Sequence, residues 1–471
     1  MSEKPTRGQR KPTRGRPLES IRSQVAGIDL GSQEHWVCGP PRGDGKPNVR
    51  TYGTTTAQLA LLADWLQQEG VESVAMESTH VYWIPLHELL EQRGFEVVLV
   101  NARQLKNVPG RKTDMLDCQW LQRLHCCGLL RGSFRPHETV TRVRAIHRQM
   151  GNLVAERTRF VQWMQQALDQ MNVQVHRAVS DLTGQTGMAI VRAIVKGERD
   201  PEQLAALRHK RCRHTAEQFA EHLSGNWRDE HLYNLEHALA LYDAVQERIQ
   251  AYEERLEQEL RQQAAEEFRD QDPPQHPNAD KEKAIRGRGE QASRTTLYRY
   301  AGVDLTRIDG ISAGAARMIL TEAGPDLSAF PTEKHFVSWL HLAPRTAVSG
   351  GKPLAAKRVG NGMGATRVAQ ILRMCAVSLQ RSKTALGAAL RRKARHKGMK
   401  VAIFATARKL AVLVYRMLRW GHDHIDIGEV AYEASYRSGT LMYLQKSAHS
   451  LGYRLVPNSE DSLPLVPVSS A

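Results

Sequence analysis

A chain of 471 residues exceeds what one hydrophobic core ordinarily organises, so two or three domains are expected. Hydrophobic residues at 41% and charged ones at 25% fit a globular protein, and no apolar run approaches the ~18 residues of a membrane helix, so no membrane association is expected. Sixty-six Lys and Arg against 50 Asp and Glu leave a net charge of +16 and a pI near 9.7, a balance that points toward polyanions, nucleic acid first among the intracellular ones.

The basic N-terminus lacks an apolar core, so no secretory signal is expected there. Six cysteines (Cys38, Cys118, Cys126, Cys127, Cys212 and Cys375) show no paired CxxC spacing. They are expected to be reduced, mostly buried thiols of a cytosolic protein, with neither zinc nor disulfides. Residues 1–23 carry seven Lys or Arg against two Asp or Glu and few apolar side chains, which predicts a disordered basic arm suited to phosphate backbones or to plain solvation.

Regular patterning begins at Val25. Val25–Leu30 is an apolar run holding one carboxylate, Asp29, followed by Gly31 and a second apolar segment, the pattern of a hairpin that opens a sheet. Two further strands are predicted over 35–39 and 49–53, then a helix over 56–70 with Leu59, Leu62, Ala63 and Leu66 on one face. Residues 71–78 read as a strand ending on the carboxylate Glu77; a helix through Leu86, Leu89 and Leu90 and a buried-type strand over 95–100 follow. Strands alternating with helices predict an α/β sheet with parallel central strands. Thr113-Asp114-Met115-Leu116-Asp117 then reads as a capped helix start, with Asp114 and Asp117 on one helical face.

Each of these carboxylates alone is equally well explained as a cap or a turn residue. Together they say more, because in a ribonuclease H-like sheet Asp29, Glu77, Asp114 and Asp117 converge on one edge. Clustered carboxylates repel unless cations neutralise them, and an all-oxygen donor set suits Mg2+ best. Two such ions would activate a nucleophile and stabilise the leaving oxygen of a phosphodiester.

After Pro136 the period changes. Val143, Ile146, Met150, Leu153, Arg157, Phe160, Met164, Ala167 and Met171 fall at three- and four-residue steps, as do Leu235 to Leu256. This predicts two long helices in a coiled coil or antiparallel hairpin, with Arg157 as a polar interruption that fixes register. Residues 180–230 give no clear placement, and 269–298, rich in proline and charge, are expected to be a linker. Ile308-Asp309-Gly310-Ile311-Ser312 joins two short helices in a helix-hairpin-helix-like pattern whose turn amides suit a phosphate, or simple packing. Ser349-Gly350-Gly351-Lys352 follows, with Arg345, Lys357 and Arg358 nearby. A hydroxyl among such donors suits a phosphate cradle, a nucleophile attacking phosphorus, or an ordinary loop. Basic helices are expected over 365–381 and 401–420, and a polar tail at the C-terminus.

The order Asp29, Glu77, Thr113-Asp114-x-x-Asp117, followed by the helix-hairpin-helix-like segment and Ser349-Gly350-Gly351-Lys352, resembles the DEDD transposases of the IS one-ten family of insertion sequences. The resemblance, which covers about residues 24–180 and 300–425, implies a RuvC-like domain over 24–136, and the long-helix periodicity adds a helical, coiled-coil insertion over 137–268. The linker at 269–298 then leads to a serine-bearing C-terminal transposase domain over 299–425, with a tail over 426–471. It implies that Asp29, Glu77, Asp114 and Asp117 bind Mg2+ and that Ser349 forms a transient phosphoserine link to DNA. Arg345, Gly350, Gly351, Lys352, Lys357 and Arg358 are then candidates for nucleic-acid contact. It further implies donor and target DNA and a structured bridge RNA as partners, and a homodimer that assembles to a homotetramer with an active site shared between subunits. A cytoplasmic location, on the nucleoid when active, goes with these partners. Two other readings of the same residues are a metal-only junction resolvase, which needs no Ser349, and a non-catalytic nucleic-acid-binding protein.

Overall fold

The computed structural model describes residues 20–43, 46–78, 81–101, 114–210, 212, 214–287, 289–343, 348–349, 352–353, 366–421 and 427–456, with backbone alone at 114–115, 348–349 and 352–353. The chain separates into two compact units, Met1–Arg135 and Pro136–Ala471.

In the first unit β1 (Val25–Leu30), β2 (Glu34–Gly39) and β3 (Asn48–Gly53) form an antiparallel meander. β4 (Ser73–Glu77) and β5 (Glu96–Val100) then add in parallel on the other side of β1, giving a five-stranded mixed sheet in the order β3-β2-β1-β4-β5. The connections are helical, α1 (Thr56–Gln68) before β4 and α2 (Trp83–Gln92) before β5, as parallel neighbours require. Thr55 caps α1 by accepting from the Gln58 amide at 3.4 Å. Strand alternation sends Ile28, Leu30, Val74 and Met76 into one core with Leu59, Leu62, Leu66, Leu86 and Leu90. A third helix, α3 (Asp114–Cys126), packs against β1, β2 and β4, and its Leu121 joins Val98 and Val100 in a smaller core. The residues just before β1, part of the expected arm, are fastened here: the Ile21 and Arg22 amides donate to the Cys126 carbonyl, closing the C-terminal end of α3.

The second unit is helical. α4 (Glu138–Gln170) leads through α5 (Val175–Ala178), α6 (Gln185–Val195), α7 (Pro201–Ala206) and α8 (Ala216–Leu223) to α9 (Asp229–Gln262). The two long helices pair antiparallel within the chain. Gln263 Nε2 donates to the Thr139 carbonyl at 3.2 Å, and Arg157 Nη1 donates to Gln246 Oε1 at 2.7 Å, so Arg157 does bridge the pair. The short helices of 180–230 are held by Ile190, Ile194, Leu204, Phe219 and Leu223, which share a core with Met164, Leu168, Leu235 and Leu239. That core is assembled across long sequence separations, so no local period announces it.

Two segments carry more regular structure than their composition suggests. Residues 269–298, expected to be a linker, carry α10 (Ala279–Gly287) and the start of α11 (Gln291–Ala301), ordered around a buried charged side chain, Arg294, instead of an apolar stripe. The expected C-terminal tail begins as a 23-residue helix, α17 (Gly428–Ser450), which buries none of its residues and so lacks the one-sided pattern that marks a helix in a sequence. The remaining helices are α12 (Ala313–Ala323), α13 (Glu333–Trp339), α14 (Arg367–Ser378), α15 (Ala385–Lys397) and α16 (Met399–Trp420). α12 is tied to α4 by Arg148, whose Nε and Nη2 donate to Glu322 at 2.9 and 2.7 Å, and by His147, whose ring pairs with the Thr321 hydroxyl. Burial pushes His147 down to about 4, so it holds that contact as a neutral ring. Among the described residues no helix is long and apolar enough to cross a membrane.

Candidate catalytic carboxylates and serine segment

β1 and β4 run parallel, with Gly27 opposite Ala75 and Ile28 opposite Met76. The next residue of each strand is an acid, Asp29 on β1 and Glu77 on β4. The two carboxylates therefore stand at the C-terminal ends of adjacent strands whose backbones run about 4.8 Å apart. That edge is where open α/β sheets place their ligands. Asp29 is half-buried, paired in register with Trp36 of β2, and Glu77 is half-buried, in register with Val100 of β5.

Alternation decides which face these acids serve. Ile28 and Met76 enter the α1–α2 core, so Gly27, Asp29, Ala75 and Glu77 belong to the opposite face, which α3 covers. The approach is close. A Cβ on Gly27 would lie 2.3 Å from the Gln122 nitrogen and 2.5 Å from the Cys118 oxygen, both backbone atoms of α3. Glycine here is a condition of α3 lying on β1. Asp117 sits in the first turn of α3, one residue before Cys118. Burial first, then the charges of Cys38 and Asp29, push the Cys118 thiol up to about 12. The Asp29 carboxylate thus acts electrostatically on the same turn that carries Asp117. His125 near the other end of α3 bonds the Ser73 hydroxyl of β4 at 2.8 Å, so the helix is anchored to the sheet at that end as well.

Asp29 and Glu77 therefore share the face that α3 covers, and Asp117 belongs to the first turn of that helix. Asp114 opens α3, its side chain and Thr113 lying outside the described residues. Among the described residues no three His, Cys, Asp or Glu side chains stand close enough to hold a metal ion. The donor set nevertheless suits a hard divalent cation in its chemistry: oxygen ligands only, from two strand ends and one helix start.

In the second unit β6 (Val348–Ser349) pairs antiparallel with β7 (Lys352–Pro353), which sets Ser349 opposite Lys352. Arg345, Gly350, Gly351, Lys357 and Arg358 lie outside the described residues. Upstream, Gly310 takes φ +86° in the turn before α12, and the Ser312 hydroxyl accepts from the Ala315 amide at 3.3 Å, so this serine is committed to capping.

Gly27 and Ala75 are the positions that sequence reading passed over. Their signal is present, small residues two before each strand-end acid, but it has meaning only once a helix is known to cross that face. Gly27→Ala is expected to destabilise the first unit by about 1–3 kcal/mol, because two backbone atoms of α3 must move, and to lower activity in step. Chemical denaturation of the variant beside the parent chain measures it; an unchanged midpoint would contradict the close approach.

This chain, with its strand-end carboxylates under a covering helix and its basic helical unit, matches a family model described as a transposase over residues 26–173, which include all four acids. A second model, the transposase IS116/IS110/IS902 family, matches residues 303–391, which include Ser349 and its basic neighbours. The chain belongs to this family of insertion-sequence transposases. No curated protein matches it.

Proposed function

We propose that the chain is a recombinase that cuts and rejoins DNA at the ends of an insertion element and at its target, using Asp29, Glu77, Asp114 and Asp117 as a Mg2+-binding tetrad and Ser349 as nucleophile. The observation that carries the reading is the pairing of two acids at adjacent parallel strand ends with a separate serine segment, each inside a transposase match. In this reading residues 24–136 form a RuvC-like, ribonuclease H-like domain, which the strand order β3-β2-β1-β4-β5 supports. Residues 137–268 supply a coiled coil and residues 299–425 the serine domain.

Bound magnesium would polarise the scissile phosphate and stabilise the charge that develops on the attacking and leaving oxygens. Asp29, Glu77, Asp114 and Asp117 would hold the ion. The Ser349 hydroxyl attacks phosphorus: a serine–phosphate ester forms, the bond to the leaving strand breaks, and the serine proton passes to the leaving oxygen. An incoming strand hydroxyl then attacks the ester, restores the serine and completes the exchange without hydrolysis. Because each step exchanges one phosphate ester for another, no nucleotide cofactor is required. Lys352, opposite Ser349 in the ribbon, is suited to neutralise the phosphate, with Arg345, Lys357 and Arg358 as further donors and Gly350 and Gly351 allowing close backbone approach.

Denaturing electrophoresis of the protein with labelled element-end DNA and Mg2+ is expected to show a covalent protein–DNA adduct that Ser349→Ala abolishes. An adduct that survives Ser349→Ala would sink the serine role; strand cleavage with no adduct at all would favour a metal-only resolvase. We further propose a structured bridge RNA as guide and a homodimer that assembles to a homotetramer on DNA. Base pairing by a guide leaves the protein to read backbone and shape, which fits a basic chain. Protein purified from its native host is expected to carry one discrete structured RNA encoded beside its gene, whereas bulk ribosomal RNA alone would count against guidance.

A further inference from the structure

From Lys334 to His422 the chain carries 19 Lys and Arg and not a single Asp or Glu. At the chain's overall frequency of 50 acids in 471 residues, a stretch of 89 would hold about nine. The described part of this stretch is largely α14, α15 and α16, and α14 packs against α16. On their shared outer face the Arg373 guanidinium lies 5.1 Å from the centroid of the Phe404 ring. Around this pair Met374, Val377, Val401 and Phe404 are 66%, 45%, 52% and 40% exposed. Lys400, Phe404 and Arg408 follow at four-residue steps on α16, and Arg373, Val377 and Arg381 do so along α14 and the turn after it, so cations flank the apolar centre on both helices.

A solvated basic face has no reason to keep four large apolar side chains exposed together. A face for duplex DNA needs phosphate contacts but meets no open base faces, since those are stacked inside the helix. An unpaired strand presents both: phosphates for the cations, and bases whose faces stack on an aromatic ring or a guanidinium plane. We infer that the α14–α16 face binds an unpaired nucleic-acid strand, with Phe404 and Arg373 as its stacking platform and Lys400 and Arg408 as phosphate contacts. This deepens the proposed function and rests on it: a transposase that exchanges strands must hold single strands freed from their duplex.

The test uses the full chain in EDTA, so that no strand chemistry occurs, with three fluorescent probes of one sequence: a 20-nucleotide DNA strand, the same strand as RNA, and the DNA duplex. Phe404→Ala is expected to weaken binding of single strands about tenfold and of duplex less than about twofold, and Phe404→Tyr to retain the parent affinity. Lys400→Ala with Arg408→Ala is expected to lower the salt slope of single-strand binding by about 1.4. The DNA and RNA arms decide which unpaired strand the face prefers. Equal losses for duplex and single strand in Phe404→Ala, or no loss in either, would overturn the inference; so would a poly-glutamate competitor that displaces the strand from the parent chain but not from Phe404→Ala, since the face would then be built for an acidic polypeptide. Thermal denaturation checks that each variant is folded. Failure here leaves the adduct experiment untouched, and loss of the adduct with intact strand binding would strike the catalytic reading alone.

Discussion

Asp29→Asn is expected to reduce magnesium-dependent strand cleavage by at least about a thousandfold while leaving the melting temperature within a few degrees of the parent. The substitution keeps the size and shape of the side chain, and the backbone pairings of Gly27, Ile28 and Asp29 with Cys38, Val37 and Trp36 do not involve it. What it removes is one negative charge from the edge where β1 and β4 end together. A metal held by carboxylates contributes several kcal/mol of transition-state stabilisation, and each 1.36 kcal/mol is tenfold in rate. Single-turnover cleavage of labelled DNA, read beside a thermal melt, separates the two effects. A variant that is folded and fully active would show that Asp29 is a turn residue and that the tetrad reading is wrong. Omitting Mg2+ from the parent chain should reproduce the loss, and adding it back should reverse the loss only in the parent.

The largest expected effect on stability lies in the second unit, at Arg294. Its side chain is 1% exposed, and every arm of the guanidinium is engaged. Nε donates to Asp304 Oδ2 at 2.9 Å, Nη1 to Glu282 Oε2 at 2.8 Å and Nη2 to the Pro274 carbonyl at 2.8 Å. One residue thus ties α10, α11 and the loop before α10 to the turn that leads toward α12. Arg294→Ala would leave Glu282 and Asp304 as buried carboxylates with their common cation gone, at a cost of about 3–5 kcal/mol. Urea denaturation of the variant should show that drop in midpoint with little change in slope. Adding Glu282→Gln and Asp304→Asn to Arg294→Met should recover part of it, because the charges that lost their partner are then neutral. If Arg294→Ala cost less than about 1 kcal/mol, water would be shown to reach the network and the segment would behave as a linker after all.

Arg294 also explains why 269–298 read as a linker. Composition-based reading assumes that order comes from apolar burial, and this stretch has little to bury. Here order comes from a charged side chain whose partners are ten and twelve residues away along the chain, a pairing that no local pattern encodes. The antiparallel pairing of α4 and α9 was easier, since each carries its own repeating stripe, and the packed helices between them were harder, since their core is shared with both. α17 shows the opposite failure: a helix with no buried face has no stripe to find.

By itself the sequence determined the order of strands and helices in the first unit, the strand-end positions of Asp29 and Glu77, and the excess of positive charge. These follow from local alternation, local periodicity and composition, which a chain carries in any conformation. Tertiary structure alone decided three things. It set Asp29 beside Glu77, because parallel register joins residues 48 apart. It gave Gly27 its purpose, because only a crossing helix makes a Cβ intolerable there. And it put Arg373 against Phe404, because two helices separated by a third pack together. Each is a non-local contact, and closing the intervening chain costs entropy that only the assembled core offsets.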